Sequence, residues 1–253
     1  MIISVLASGS KGNCTYIGTN KHNILIDLGT TSLNIEKKLK AFGIEPSSLD
    51  SIFITHGHKD HVSGINVFYK KYKPTIYMTE NIIKEANLKV DNYVEIKEEL
   101  KLDDIKITPI PTSHDAIDSR GYIFESGKKS VVYMTDTGYI NRKYNQLLTN
   151  RTMYIFESNH DIELLMDNPN YPYYLKQRIL GDEGHLSNID SANYLAKFIG
   201  PDTKKVFLAH LSEENNNPEL AINNLKAVLK KKKVDFDNID VATQEGPTEL
   251  VKL

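Results

Sequence analysis

Apolar positions along this chain fall into short runs bounded by turn residues, separated by longer stretches with helical spacing. Met1-Ile2-Ile3-Ser4-Val5-Leu6 reads as a first strand, and Asn23-Ile24-Leu25-Ile26 and Ser51-Ile52-Phe53-Ile54 as two more. Such runs, rich in Ile, Val and Phe, suit strands buried on both faces. The spacing predicts helices over about 32–43 and 80–88, with hairpin-like strands from there to 135. Beyond that it predicts a helix at 141–149, a strand at 153–157, helices near 172–179 and 187–198, a strand at 205–209 and a helix at 217–231. A last strand is expected over about 247–252. This alternation predicts an α+β fold, a four-layer αββα sandwich with two sheets face to face and helices outside. At 253 residues the chain can bury a full core as one domain or two. It shows no fixed-period repeat and no long low-complexity tract.

The polar residues that matter sit at strand ends. Directly after Ser51-Ile52-Phe53-Ile54 comes Thr55-His56-Gly57-His58-Lys59-Asp60-His61, four potential metal ligands within six residues. A loop leaving a strand can fan closely spaced imidazoles toward one point, and Asp60 adds a hard oxygen. Imidazole with carboxylate suits zinc, iron or manganese. A metal centre needs more ligands than one loop supplies, and other strand ends offer them. The run at 107–111 leads to His114, the run at 130–134 to Asp136, the run at 153–156 to Glu157, and the run at 206–209 to His210. Functional side chains commonly occupy such loops on a rigid scaffold.

Bulk properties remove several function classes. Thirty-one basic residues against 33 acidic ones give no strongly basic surface overall, although a local basic patch remains compatible with these totals. Cys14 is the only cysteine, so no intramolecular disulfide forms, and it is expected to be a small buried thiol. The opening residues lack the basic segment of a signal peptide. No apolar run approaches the roughly 20 residues that span a bilayer. A cytoplasmic protein without membrane attachment is expected. Lys230-Lys231-Lys232-Lys233 reads as the solvated end of a helix.

The pattern His56-x-His58-x-Asp60-His61, followed by His114, Asp136 and His210, resembles the ligand pattern of the metallo-β-lactamase-fold superfamily, and Asp27 matches that family's early strand-end aspartate. The resemblance covers nearly the whole chain in the family's order. It implies two divalent metal ions (zinc, manganese or iron): His56, His58 and His114 on one, Asp60, His61 and His210 on the other, Asp136 bridging. It also implies one domain over residues 1–253. Only about seventy residues separate Asp136 from His210, too few for the inserted β-CASP domain of one nuclease branch.

The metal motif alone leaves the substrate open. Gly184-His185-Leu186-Ser187 with Ala192 opens a helix with Ser187 as its N-cap, and it resembles the Gly-His-Ser-Thr-Ala helix start of tRNase Z. Glu157-Ser158-Asn159 resembles the Glu-Ala-Thr of the same family, in which the glutamate and histidine pair at the scissile phosphate. Leu6 to Asn13, Ser113-His114-Asp115-Ala116, the run at 184–188 and the run at 208–216 resemble the WalJ (YycJ) family of bacterial nuclease-like proteins. One departure is Gly57, where relatives often carry glutamate; that position is not a metal ligand in the hydrolases.

These resemblances imply a dinuclear-metal phosphodiesterase, a nuclease of the 5′-to-3′ DNA exonuclease kind, acting on DNA in preference to RNA. Asp60 would orient the attacking water as well as ligate, and His185, held by Glu157, would protonate the leaving oxygen. Ser8, Ser10, Asn13 and Ser212 are candidates to bind the substrate phosphate or to brace the ligands from behind, the first three on a small-residue loop whose N–H groups could meet a phosphate. His160 is a rival for the acid. A small-molecule hydrolase of the same fold, a cyclic phosphodiesterase or thioesterase, is the alternative; a deep closed pocket would favour it, and an open groove with basic walls would favour nucleic acid.

Overall fold

The computed structural model describes residues 1–253. Two seven-stranded sheets make its frame. The first runs in the order Val251–Lys252, Ile2–Ala7, Cys14–Gly18, Asn23–Ile26, Ser51–Phe53, Thr75–Met78, Tyr93–Glu95. The second runs Ile239–Val241, Lys205–Ala209, Met153–Glu157, Lys129–Met134, Arg120–Ser126, Ile105–Pro111, Leu100–Leu102. Each sheet is part antiparallel and part parallel. Asn23–Ile26, Ser51–Phe53 and Thr75–Met78 are parallel neighbours, and so are Lys129–Met134, Met153–Glu157 and Lys205–Ala209. Parallel strands finish at the same end of a sheet, so the loops that leave them gather there.

Three apolar clusters account for four layers. The first holds Ile3, Val5, Ile17 and Phe53 of one sheet with Phe124, Val131, Ile155 and Phe207 of the other, and it seals the sheets together. The second packs Val132, Tyr154, Phe156 and Leu208 against Leu195 and Phe198 of helix Asn188–Phe198 and Leu225 of helix Pro218–Lys232. The third packs Leu25, Ile52 and Ile76 against Ile35 and Leu39 of helix Ser32–Ala41 and Ile65 and Phe68 of helix Ile65–Tyr72. The period-two alternation of a strand divides its residues between clusters: Val131 and Tyr133 face the other sheet while Val132 and Met134 face the helices. Both faces are therefore dry, which explains the near-continuous apolar runs. Each fully buried Phe or Leu contributes roughly 1.5–3 kcal/mol, and truncating Phe198 to Ala would cost about 3–5 kcal/mol.

The strands at 153–157 and 205–209 match their predicted bounds. The helix expected over 141–149 is instead a 3-10 turn, Arg142–Tyr144, and a single α-turn, Asn145–Leu148. The Asn141 side chain accepts from the Lys143 N–H, a local bond that competes with continuous helix. The last strand is only Val251–Lys252, and Pro247 lacks the N–H that an earlier start would need. Helices Ile65–Tyr72 and Ile162–Asp167 and strands Thr75–Met78 and Ile239–Val241 were not distinguished in the sequence. Each is short, and one helix shows its core with only Ile65, Phe68 and Tyr69. Cys14 is buried, and burial pushes its thiol well above the ordinary range. Lys230 to Lys233 end the helix Pro218–Lys232 in solvent, with Lys233 in the left-handed region.

Candidate metal centre

Three of the parallel strands are each followed by a residue in the left-handed region: Asp27 after Asn23–Ile26, Asp136 after Lys129–Met134 and His210 after Lys205–Ala209. A non-glycine residue there costs energy, and such positions concentrate at functional sites. The loop after Ser51–Phe53 brings His56 and His58, then turns into the short helix Lys59–Val62, which carries Asp60 and His61. Gly29 admits that helix: a Cβ on Gly29 would lie 1.6 Å from the Asp60 carbonyl oxygen. His114 arrives from the loop after Ile105–Pro111.

These residues converge. His56, His58 and His114 place one ligand atom each within 4.8 Å of one another, and so do Asp60, His61 and His210. Asp136 groups with His56 and His61 on one side and with Glu157, His185 and His210 on the other. All seven expected ligands lie together, and the carboxylate between them is Asp136.

The imidazoles are oriented from behind. His61 Nδ1 lies 2.7 Å from Asp27 Oδ2. The Thr55 hydroxyl donates to Asp27, so it can accept from His56 Nδ1 at 3.0 Å. His114 Nδ1 lies 3.3 Å from the Gly184 carbonyl, and His210 Nδ1 3.0 Å from Glu157 Oε1. In each of these rings Nδ1 is engaged from outside, the arrangement that fixes the tautomer of a metal-binding histidine; Nε2 is unpartnered in His56 and His210, while that of His61 lies 3.0 Å from the Asn13 side-chain amide. His58 turns the other way, with Nδ1 3.2 Å from His114 Nε2.

The donor set fits a divalent cation. His56 Nε2, His210 Nε2 and Asp136 Oδ2 are buried without a hydrogen-bond partner; Asp136 Oδ2 comes within 3.2 Å of His61 Nε2 but without hydrogen-bonding geometry. A buried polar atom left unpaired costs about 1–3 kcal/mol, so three such atoms aimed at one region point to a cation that satisfies them. The electrostatics agree. Burial alone would lower His210, yet Asp136, Asp60 and Glu157 raise it to about 10. Burial alone would raise Asp60, yet the His210 and His61 contacts hold it well below the ordinary carboxylate range. His56 is kept neutral by burial and by its neighbour His61.

Glu157 is fully buried and saturated. Its Oε1 accepts from His185 Nδ1 at 2.8 Å and His210 Nδ1 at 3.0 Å, and its Oε2 from the Thr137 and Leu186 N–H groups at 3.1 Å. Burial opposes its charge, but His185 and His210 hold it at about 2. Glu157 therefore sits beneath the pocket and reaches it through His185 and His210. Gly184 lets the chain turn there: a Cβ would lie 2.2 Å from the Ile179 carbonyl.

The pocket above the centre has a volume of about 270 Å³ and is open to solvent, with His58, Asp60, His114, Asp136, His185 and His210 on its floor. Ser10 and Ser212 line it. Ser8 and Asn13 do not; both brace ligands from behind, the other of the two roles expected of them. Ser8 is buried, with its hydroxyl accepting from the His210 N–H at 2.7 Å. Asn13 is buried under the ligand helix, its N–H donating to the Asp60 carbonyl at 2.8 Å and its side chain clasping Gly9. His160, 1% exposed, is also away from the pocket lining. His22 is bound to Asp50 and Asp103 outside the cluster. Sequence reasoning missed Thr55 and Asp115; the first adjoins the motif, and the second follows His114 directly. Of the basic walls that would favour nucleic acid, the lining supplies Arg178 alone.

A model of the metallo-beta-lactamase superfamily matches residues 7–210. Exodeoxyribonuclease WalJ of Streptococcus pneumoniae serotype 2 (strain D39 / NCTC 7466) is 40% identical over 227 residues, which span 86% of this chain and 84% of that protein. Exodeoxyribonuclease YycJ of Bacillus anthracis is 35% identical over 236 residues, 90% of this chain and 89% of that one. Among solved structures, the metallo-beta-lactamase fold protein YhfI from Bacillus subtilis superposes with a TM-score of 0.73 at 16% identity, covering 98% of this chain and 100% of that one. The short form of human tRNase Z superposes with a TM-score of 0.66 at 12% identity over the full length of both. These two share the fold.

Proposed function

This chain belongs to the metallo-beta-lactamase superfamily and, within it, to the family of the WalJ and YycJ proteins, and from that premise we propose that it is a metal-dependent exodeoxyribonuclease. The observation that carries the reading is the convergence of seven ligands beneath an open pocket whose one further imidazole is His185. The proposal takes His56, His58 and His114 as ligands of one ion, Asp60, His61 and His210 as ligands of a second, and Asp136 as shared, with zinc, manganese or iron as the ions. It also takes residues 1–253 as one domain without a β-CASP insertion, 5′-to-3′ degradation as the polarity, and the cytoplasm as the location. No helix is long and apolar enough to cross a membrane.

Divalent ions held there would supply Lewis acidity, neutralise charge building on the phosphoryl oxygens and make a hydroxide nucleophile available at neutral pH. The protein supplies the rest. Asp60 lines the pocket and stays ionised, so it can accept a hydrogen bond from the attacking water and aim it at phosphorus. His185 spends Nδ1 on Glu157, which leaves Nε2 to give a proton to the departing sugar oxygen. Glu157 positions that ring and ties it to His210, so acid and ligand share one anchor. The test is degradation of end-labelled DNA by protein freed of metal and then reloaded. Activity that needs the ions and releases nucleotides from ends supports the reading.

A further inference from the structure

The helix Tyr173–Leu180 stands at the mouth of the pocket, and the hydrolytic chemistry makes no use of it. Leu175, Arg178 and Ile179 line the pocket, as does Tyr171 just before the helix. Arg178 is seated from below: its Nε donates to Asp115 Oδ2 at 2.6 Å, and its Nη2 pairs with the same oxygen. The other oxygen of Asp115 faces inward, 3.5 Å from His114 Nε2 and 3.9 Å from His58 Nε2. Asp115 thus fixes the guanidinium beside the ligand cluster with Nη1 left over, on a side chain that is 61% exposed.

Tyr174 lies four residues before Arg178, so the two share one face of the helix. At 76% exposure it is the most exposed large hydrophobic residue of the chain. A presented aromatic ring one turn from a fixed guanidinium matches the two surfaces of a nucleic-acid strand, a base face and a phosphate. The adjoining Tyr173 is also exposed, but it is rotated about 100° around the helix from Tyr174.

We infer that Tyr174 and Arg178 grip the DNA strand entering the pocket, Tyr174 stacking on an unpaired base and Arg178 taking a neighbouring phosphate through Nη1. The inference rests on the exodeoxyribonuclease reading and deepens it: the strand is held by its base face and backbone, so the grip tolerates any sequence and requires an unstacked base.

The chain contains no tryptophan, so Tyr174→Trp installs a single indole at the site. Metal-stripped Tyr174→Trp is titrated with a fluorescein-labelled single-stranded oligonucleotide while anisotropy reports binding. The indole emission should be quenched in step with the anisotropy. On metal-loaded protein, Tyr174→Ala should raise KM for DNA with a single-stranded end roughly tenfold with little change in kcat, and Tyr174→Trp should restore it. Arg178→Ala should raise KM and lower the salt dependence of binding by about one phosphate contact. An indole that stays bright while the oligonucleotide binds, or a wild-type KM in Tyr174→Ala, overturns the inference. Wild-type protein that degrades no DNA with any of the three metals would instead overturn the functional reading on which it rests.

Discussion

His61 Nδ1 lies 2.7 Å from Asp27 Oδ2, and both side chains are fully buried. Asp27 also takes the Thr55 N–H at 2.8 Å and the Thr55 hydroxyl, whose oxygen in turn meets His56. One carboxylate outside the ligand set thus orients a ligand in each of the two groups. Asp27→Asn should keep the fold but weaken metal retention by roughly 10–100-fold, the usual effect of losing an outer hydrogen-bond partner. Competition with a chromophoric chelator measures it; wild-type affinity in the variant would remove Asp27 from this role.

Asp60 and His61 are adjacent but should differ. Asp60 lines the pocket whereas His61 is fully buried. Asp60→Ala should lose more activity than metal, because it aims the attacking water as well as holding an ion, while His61→Ala should lose both together. Metal content and turnover measured on the same preparations decide this, and near-normal turnover in Asp60→Ala would contradict the mechanism.

His185→Ala should keep its metals and lose about 10²–10⁴ in rate, the usual span for removing a general acid. A nitrophenyl ester, whose leaving group departs without a proton, should recover most of that loss. Equal loss on both substrates would make His185 a phosphate-binding residue instead. Glu157→Gln should behave differently from His185→Ala, because its Oε1 serves both His185 and His210. It should lower rate and metal affinity together.

His160 gives a stability prediction independent of catalysis. Both its ring nitrogens are buried without partners, and its pKa is lowered to about 4, first by burial and then by His185. An unfolded histidine titrates near 6.5. Below that pH the unfolded chain takes up a proton that the folded one refuses, so stability is lost as pH falls from about 6.5 toward 4. The loss reaches about 2 kcal/mol by pH 5. His160→Phe should flatten this acid limb and be tolerated at neutral pH. Urea midpoints of metal-stripped protein at pH 7 and pH 5 test it, and parallel acid losses in wild type and variant would refute it.

Legibility in the sequence followed burial. Met153–Glu157 and Lys205–Ala209 each hold an unbroken run of four apolar or aromatic residues with dry faces, and their bounds could be read directly. Helix Ile65–Tyr72 could not, because three core residues followed by Lys70 and Lys71 make a weak helical signal. The seven converging residues were readable because the chain has only eight histidines, and five of them, with Asp60 and Asp136, fall closely after apolar strands. Which of their two expected roles Ser8 and Asn13 take was not readable, because a Gly-Ser loop has the same composition whether it presents N–H groups to a phosphate or braces a neighbouring backbone. Only the fold shows that it braces His210 and Asp60. That Glu157 serves His210 as well as His185 is a tertiary fact with no local signature.

The central claim is that the converged histidines and carboxylates make a metal-dependent nuclease acting from DNA ends. The direct measurement uses a linear duplex labelled at one 5′ end, incubated with protein stripped by chelator and reloaded with manganese, zinc or iron. The account predicts no degradation by the stripped protein, early release of labelled nucleotide after reloading, and no recovery in Asp136→Ala. Degradation that persists after stripping, or reloaded protein that leaves the duplex intact while hydrolysing small phosphate esters or thioesters, would contradict it.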